Sequence, residues 1–260
     1  MDCWKLLSKV LPVTPRVLLY GPPGTGKTYS ANTEGLQGKQ VYQTTLTQDS
    51  TAAELLGHYV PNDNGAFEWL DGIGIKAWKE GARLVINEID NAGVDVMTFL
   101  HALLDDPKFA KFTIPNKAKE IVRPAEGFQV VATMNGEPDD LPEALADRFP
   151  VKLNMDKPNP KAIEQLPKNL RGVYNDYTES NSIFSVRKWI AFAELMEAGI
   201  DITDASQAVF QDNADDLIEA LAIKDSDSAE SFSFRPMRSV RTKKRMQKFV
   251  HSFFFLACSK

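Results

Sequence analysis

The 260-residue sequence predicts an α/β fold: a mostly parallel sheet with helices on both faces, followed by a smaller helical domain. Three observations carry this. Short apolar runs alternate with helical patterns through residues 1–155, as in βαβ proteins. The strongest runs are apolar throughout, which suits strands buried on both faces. Beyond residue 160 no comparable strand pattern recurs, and the spacing becomes helical. With 43% hydrophobic and 25% charged residues, the composition excludes a largely disordered chain.

Residues 16–20 (RVLLY) read as the first buried strand, stopped by Gly21, Pro22 and Pro23, with a helix from Gly26 to about Thr33. Residues 39–45 are the next strand candidate. From Leu55 to Gly74 the chain is rich in Gly, Asn, Asp and aromatics and reads as an elaborated loop with short elements. Residues 82–87 (ARLVIN) form a buried strand. The helix after it carries Val96, Phe99, Leu100, Leu103 and Leu104 at helical spacing. Residues 111–123 suggest a hairpin around Pro115 and Asn116, and strands follow at 128–133 and 150–154. The prolines of 156–160 suggest a linker, so the expected domains are 1–155, a helical 156–234 and a tail, 235–260. A helix beginning near Ser185 puts Val186, Trp189, Ile190, Ala193 and Met196 on one face.

The cysteines, Cys3 and Cys258, make no disulfide framework, and the histidines, His58, His101 and His251, are scattered rather than set at zinc spacing. No run approaches the roughly 18 apolar residues of a membrane helix. The N-terminal apolar run is too short for a secretory signal. A soluble protein of a reducing compartment, the cytoplasm, is the expectation, with no membrane contact.

The run Gly21-Pro22-Pro23-Gly24-Thr25-Gly26-Lys27-Thr28 fits the phosphate-binding loop G-x-x-x-x-G-K-[ST]. Glycines let the backbone turn tightly and aim N–H groups at phosphates with no Cβ in the way. Lys27 is suited to the β- and γ-phosphates and the Thr28 hydroxyl to Mg²⁺, while the helix adds its positive end. The strand before and helix after supply the context the motif needs. ATP with Mg²⁺ is the ligand expected.

Leu84-Val85-Ile86-Asn87-Glu88-Ile89-Asp90 is an apolar strand ending in polar residues, where a nucleotide hydrolase carries its Walker B acids. One carboxylate holds Mg²⁺ through water and a second orients the attacking water. Glu88 suits the second role. The first position is Asn87, whose amide accepts a hydrogen bond but brings no charge. Slower turnover or weaker Mg²⁺ retention is expected, with Asn87→Asp raising metal affinity. Asp90 compensates only if the backbone leaves the regular strand path.

On these motifs the chain resembles an AAA+ ATPase, specifically the MoxR-like group of the helix-2-insert clade, over about residues 15–210. Leu55-Leu56-Gly57-His58-Tyr59, Gly65-Ala66-Phe67, Gly72 and Ala77-Trp78 match the family's insert, and the 111–123 hairpin falls at its pre-sensor-1 insertion. The resemblance implies further roles. Asn135 of Ala132-Thr133-Met134-Asn135 is the sensor 1 residue that positions water. Arg148, in Leu141-Pro142-Glu143-Ala144…Asp147-Arg148-Phe149, is the arginine finger reaching a neighbouring subunit's nucleotide. Arg187 of Ser185-Val186-Arg187 is the sensor 2 residue of the lid. Each has a plainer alternative: Asn135 as a turn cap, the arginines as surface ion-pair partners.

Three functions stand open. The first is a homo-oligomeric ring, a hexamer, that hydrolyses ATP to remodel a protein partner in a chaperone-like way. Partners with a von Willebrand factor A domain are what the resemblance implies, in metal insertion or enzyme activation. The second is a hydrolysis-impaired structural subunit, from Asn87. The third is a nucleic-acid-directed ATPase of a restriction-type system, from the seven basic residues and no acid in 235–248. Overall the chain carries 35 acids and 30 bases, net −5, but residues 199–230 hold nine acids and one base, and 235–260 eight bases and no acid. Tyr59, Phe67 and Trp69 stand as candidates either to grip a polypeptide or to pack the insert on its own domain. The apolar Phe253–Leu256 run suits docking on a partner or on the lid.

Overall fold

The computed structural model describes residues 2–115, 119–180 and 185–227. The basic segment 235–248, the apolar end 253–258, His251 and Cys258 lie outside the described residues, as does the turn of the 111–123 hairpin at 116–118.

Two compact units divide at Ile163 and Glu164. The first opens with helix α1 (Cys3–Val10), which the sequence had shown only as a short apolar run. Asp2 caps it by accepting a hydrogen bond from Trp4 N at 3.0 Å. Then come β1 (Arg16–Tyr20), α2 (Lys27–Thr33) and β2 (Val41–Thr45). The 55–74 stretch resolves into α3 (Ala52–Leu56), the antiparallel pair β3 (Gly57–Pro61) and β4 (Phe67–Asp71), and the start of α4 (Ile73–Glu80). β5 (Arg83–Asn87) and α5 (Val94–Leu103) follow. The expected hairpin appears as the two-residue strands β6 (Phe112–Thr113) and β7 (Ile121–Val122), paired antiparallel. β8 (Gln129–Thr133), α6 (Glu143–Ala146), β9 (Val151–Asn154) and α7 (Pro160–Ile163) complete the unit.

Five strands form one parallel sheet in the order β2-β5-β8-β1-β9. Their side chains alternate between two apolar layers. Leu18, Leu84, Ile86, Val130 and Ala132 face a layer with Trp78, Leu100 and Phe149. Val17, Leu19, Val85, Val131 and Leu153 face the other, with Leu7 and Leu11 of the α1 region and Ala31 of α2. All five strands therefore run the same way, and their C-terminal ends, where such sheets bind ligands, gather at one edge.

The second unit is helical among its described residues: α8 (Lys168–Ser180), α9 (Val186–Glu197), α10 (Ile202–Phe210) and α11 (Ala214–Asp227). Its core is aromatic. Trp189 meets Tyr174 edge-on at 5.6 Å and Phe210 at 5.5 Å, and Phe192 meets Phe210 at 5.7 Å. No helix among the described residues is long and apolar enough to cross a membrane.

Candidate functional site

The loop from Gly21 to Gly26 leaves the end of β1 and enters α2 through three glycines with positive φ: 120° at Gly21, 77° at Gly24 and 104° at Gly26. Such angles are strained for any residue with a Cβ. At Gly21 a Cβ would also stand 2.9 Å from Asn154 Oδ1 at the end of β9, so the tight passage requires glycine twice over. Thr25 is buried and donates its hydroxyl to Pro22 O at 3.3 Å.

Lys27 is 6% exposed. Its Nζ donates to Gly21 O at 2.8 Å and Pro22 O at 2.7 Å, holding the ammonium against the loop. Burial pushes its pKa down to about 8, and the charge of Asp90 works against that shift. Thr28 lies on the exposed side of α2, and its hydroxyl donates to Asn87 Oδ1 at 2.9 Å.

Asn87 ends β5, is 4% exposed and makes three side-chain hydrogen bonds. Its Oδ1 also accepts from Thr133 Oγ1 at the end of β8, 3.2 Å away, and its Nδ2 donates to Thr44 O on β2, also 3.2 Å away. One amide thus ties the ends of three strands to the phosphate loop's helix. An aspartate here would keep both accepted bonds but lose the donated one, setting an oxygen against the Thr44 carbonyl. Thr44 and Thr133 were not singled out from sequence, because parallel register decides which side chains meet Asn87.

After Asn87 the backbone departs from strand. Glu88 takes φ 54° and Ile89–Asn91 make a 3₁₀ turn, the departure on which a role for Asp90 depends. Asn91 Nδ2 holds Glu88 Oε2 at 3.1 Å. Asp90 Oδ1 is buried and has no hydrogen-bond partner among the described residues. Burial raises the Asp90 carboxyl, with Glu88 and Asp140 adding to the shift and its own backbone N–H and Lys27 opposing it. Lys27, Glu88, Asp90 and Asp140 therefore share one electrostatic neighbourhood.

Asn135 is exposed two residues beyond the end of β8, in the loop that contains Asp140. Arg148 is half-buried. Its Nε donates to His101 O at 3.0 Å and its Nη1 to Ala144 O at 2.7 Å, so its guanidinium is engaged by carbonyls of its own chain. Arg187 is exposed on the first turn of α9, in the second unit. Phe67 is 63% and Tyr59 39% exposed. Trp69 packs inward, edge-on to Tyr59 at 5.3 Å, with Nε1 donating to Asp71 Oδ1 at 2.8 Å.

Sequence reading also missed a buried polar system below this edge. Arg83 at the start of β5 is fully buried, with Nε donating to Gln129 Oε1 at 2.7 Å. Its Nη1 reaches Ala31 O at 3.0 Å and Glu34 O at 2.6 Å, and its Nη2 reaches Gly35 O at 3.1 Å. These are the carbonyls at the C-terminal end of α2. Burial lowers the Arg83 pKa to about 10.

The donor set suits a nucleotide with Mg²⁺. The glycines give the turn a left-handed backbone path that residues with a Cβ rarely take, and Thr28 offers a hydroxyl at the end of that turn. Among the described residues no group of three or more His, Cys, Asp or Glu could hold a metal unaided. Mg²⁺ is commonly held by one or two protein groups together with substrate phosphates, and the Thr28 hydroxyl is a group of that kind.

The profile of the family "AAA domain (dynein-related subfamily)" matches residues 16–149. Protein NorQ of Paracoccus denitrificans is 31% identical over 167 residues, covering 62% of this chain and 60% of NorQ. An uncharacterised protein of Staphylococcus saprophyticus is 37% identical over 150 residues, covering 55% of this chain and 56% of the relative. Midasin of Giardia intestinalis is 31% identical over 150 residues, 55% of this chain but 3% of midasin. The matched region thus spans little more than half of these bacterial relatives and a small part of midasin.

Proposed function

The chain belongs to the dynein-related subfamily of AAA domains, of the MoxR-like type, and from that premise we propose an ATP-hydrolysing ring protein that remodels or activates a protein partner. The observation that carries the reading is the joint at Asn87: one side chain couples the phosphate loop, through Thr28, to the strand ends flanking Glu88. Hydrolysis needs the loop and the water-orienting acid held in fixed relation, and this joint does so.

In this mechanism the backbone N–H groups of 21–28 and Lys27 hold the β- and γ-phosphates. The Thr28 hydroxyl, donating its hydrogen bond to Asn87, presents an oxygen to the metal. Bound Mg²⁺ supplies charge neutralisation at those phosphates. Glu88, steadied by Asn91, orients the water and takes its proton. Asn135 helps place that water, and Arg187 senses the γ-phosphate from the lid. Arg148 acts in trans on a neighbouring copy, exchanging its bonds to His101 and Ala144 carbonyls for phosphate oxygens; a guanidinium's paired donors suit both. The working form is a homohexamer of the cytoplasm, with a von Willebrand factor A domain protein as the class of partner.

Glu88→Gln tests the reading. It is expected to lower turnover by about 10²–10⁴-fold while ATP stays bound. Retention measured by filter binding would then exceed that of wild type, which consumes its ATP. A second reading, a nucleotide-binding subunit that does not hydrolyse, is favoured by the uncharged amide of Asn87. Wild type that binds ATP yet releases no phosphate with Mg²⁺ would establish it in place of the first.

A further inference from the structure

Position 87 carries no charge, and its side chain is already spent on Thr28, Thr133 and Thr44. A metal on the phosphates keeps most of its water shell, and that water needs acceptors from the protein; a neutral amide at position 87 is a weaker one than a carboxylate. The chain contains an acid three residues on, at a place where a continuing strand would carry it away from the site. It does not continue: the left-handed Glu88 and the turn at 89–91, closed by Asn91 N to Glu88 O at 3.0 Å, fold Asp90 back beside the strand end.

We propose that Asp90 supplies the carboxylate charge that position 87 lacks, accepting hydrogen bonds from water on the metal beside Thr28. The proposal rests on the nucleotide-binding reading above. Two observations carry it. Asp90 Oδ1 is buried with no hydrogen-bond partner among the described residues, which is costly for a carboxylate oxygen unless a donor completes it. Asp90 is also close enough to the phosphate loop for its charge to act on Lys27. The other acids nearby are committed. Glu88 accepts from Asn91, and Asp140 accepts from Glu137 N at 2.8 Å within its own loop. In this arrangement the charge sits on the turn after the strand, and position 87 serves as a neutral brace.

The test measures binding, not turnover. Affinity for a fluorescent ATP analogue is titrated in EDTA and then against rising Mg²⁺, with Mn²⁺ binding followed by electron paramagnetic resonance. Asp90→Asn is expected to raise the Mg²⁺ concentration at half-maximal retention about 10–100-fold, the usual effect of losing an outer-sphere partner, with affinity in EDTA not reduced. Asp90→Glu, which keeps the charge, should recover most of the metal dependence. Melting temperatures check folding, and Asp90→Ser replaces the amide variant if that one does not fold. A Mg²⁺ midpoint within twofold of wild type overturns the proposal. So does a change in EDTA affinity with no change in the Mg²⁺ response, because Asp90 would then serve only to balance Lys27. Wild type that binds no nucleotide in either condition would instead refute the nucleotide-binding reading, and the proposal with it.

Discussion

Lys27 shows how a single residue links burial to ligand binding. In the unfolded chain its ammonium keeps its proton up to 10.5, whereas in the folded chain burial brings the pKa to about 8. Between those values the unfolded state holds the extra proton, so stability rises with pH from about 8 to 10.5. Nucleotide phosphates favour the charged form and must restore the proton. ATP affinity is therefore expected to weaken as pH climbs above about 8, with up to one proton taken up on binding at pH 8–9. Calorimetry in buffers of different ionisation enthalpy measures that uptake; none would mean that Lys27 stays charged without ligand. Asn87 teaches a different lesson. Its anomaly was legible in the sequence as a missing charge, but not the three bonds that hold it, since Thr44 and Thr133 lie on strands brought alongside only by the parallel register.

At the scale of elements, β5 and α2 are fastened at both ends. Asn87 meets Thr28 at the start of the helix, and Arg83 meets the Ala31, Glu34 and Gly35 carbonyls at its finish. Among the described residues Arg83 forms no ion pair, so neutral oxygens alone offset its burial. Arg83→Met would remove the donors and leave buried carbonyls and Gln129 Oε1 unpaired, at a cost of about 3–5 kcal/mol. Thermal melting should drop by about 10 °C. A change under 2 °C would show that water takes the donors' place. The strands themselves were legible because each is a short apolar run bounded by turn residues. α1 was not, although Trp4, Leu7, Val10 and Leu11 fall at helical spacing and pack on one core: the run is only two turns long before Pro12 and reads equally as a bare apolar stretch. The β3–β4 hairpin was hidden for a related reason. Its exposed Phe67 and Leu70 break the inside–outside alternation that marks a half-buried strand.

For the whole molecule, the ring reading turns on Arg148. In one chain it caps carbonyls of α5 and α6, so Arg148→Ala is expected to cost only about 1–2 kcal/mol of stability. Its effect on turnover should be far larger, about 10³-fold or more if the guanidinium acts on a neighbour's phosphate. Wild-type turnover per chain should also fall on dilution, read alongside particle size with and without ATP. Turnover independent of concentration would rule out action in trans. The charge pattern was legible at this scale too, but the basic segment 235–248 lies outside the described residues. The way α7 (Pro160–Ile163) is attached at the end of the first unit has a consequence for the phosphate loop. Asn159, 3% exposed, takes its amide N–H to Thr25 O and its Nδ2 to Ser30 Oγ, both at 2.8 Å, and Lys161 pairs with Glu34. The last stretch of the first unit is thus laced along the phosphate loop's helix from end to end. The same three attachments that seat α7 therefore also fix the start, middle and end of the phosphate loop's helix, so loosening either one would loosen the other.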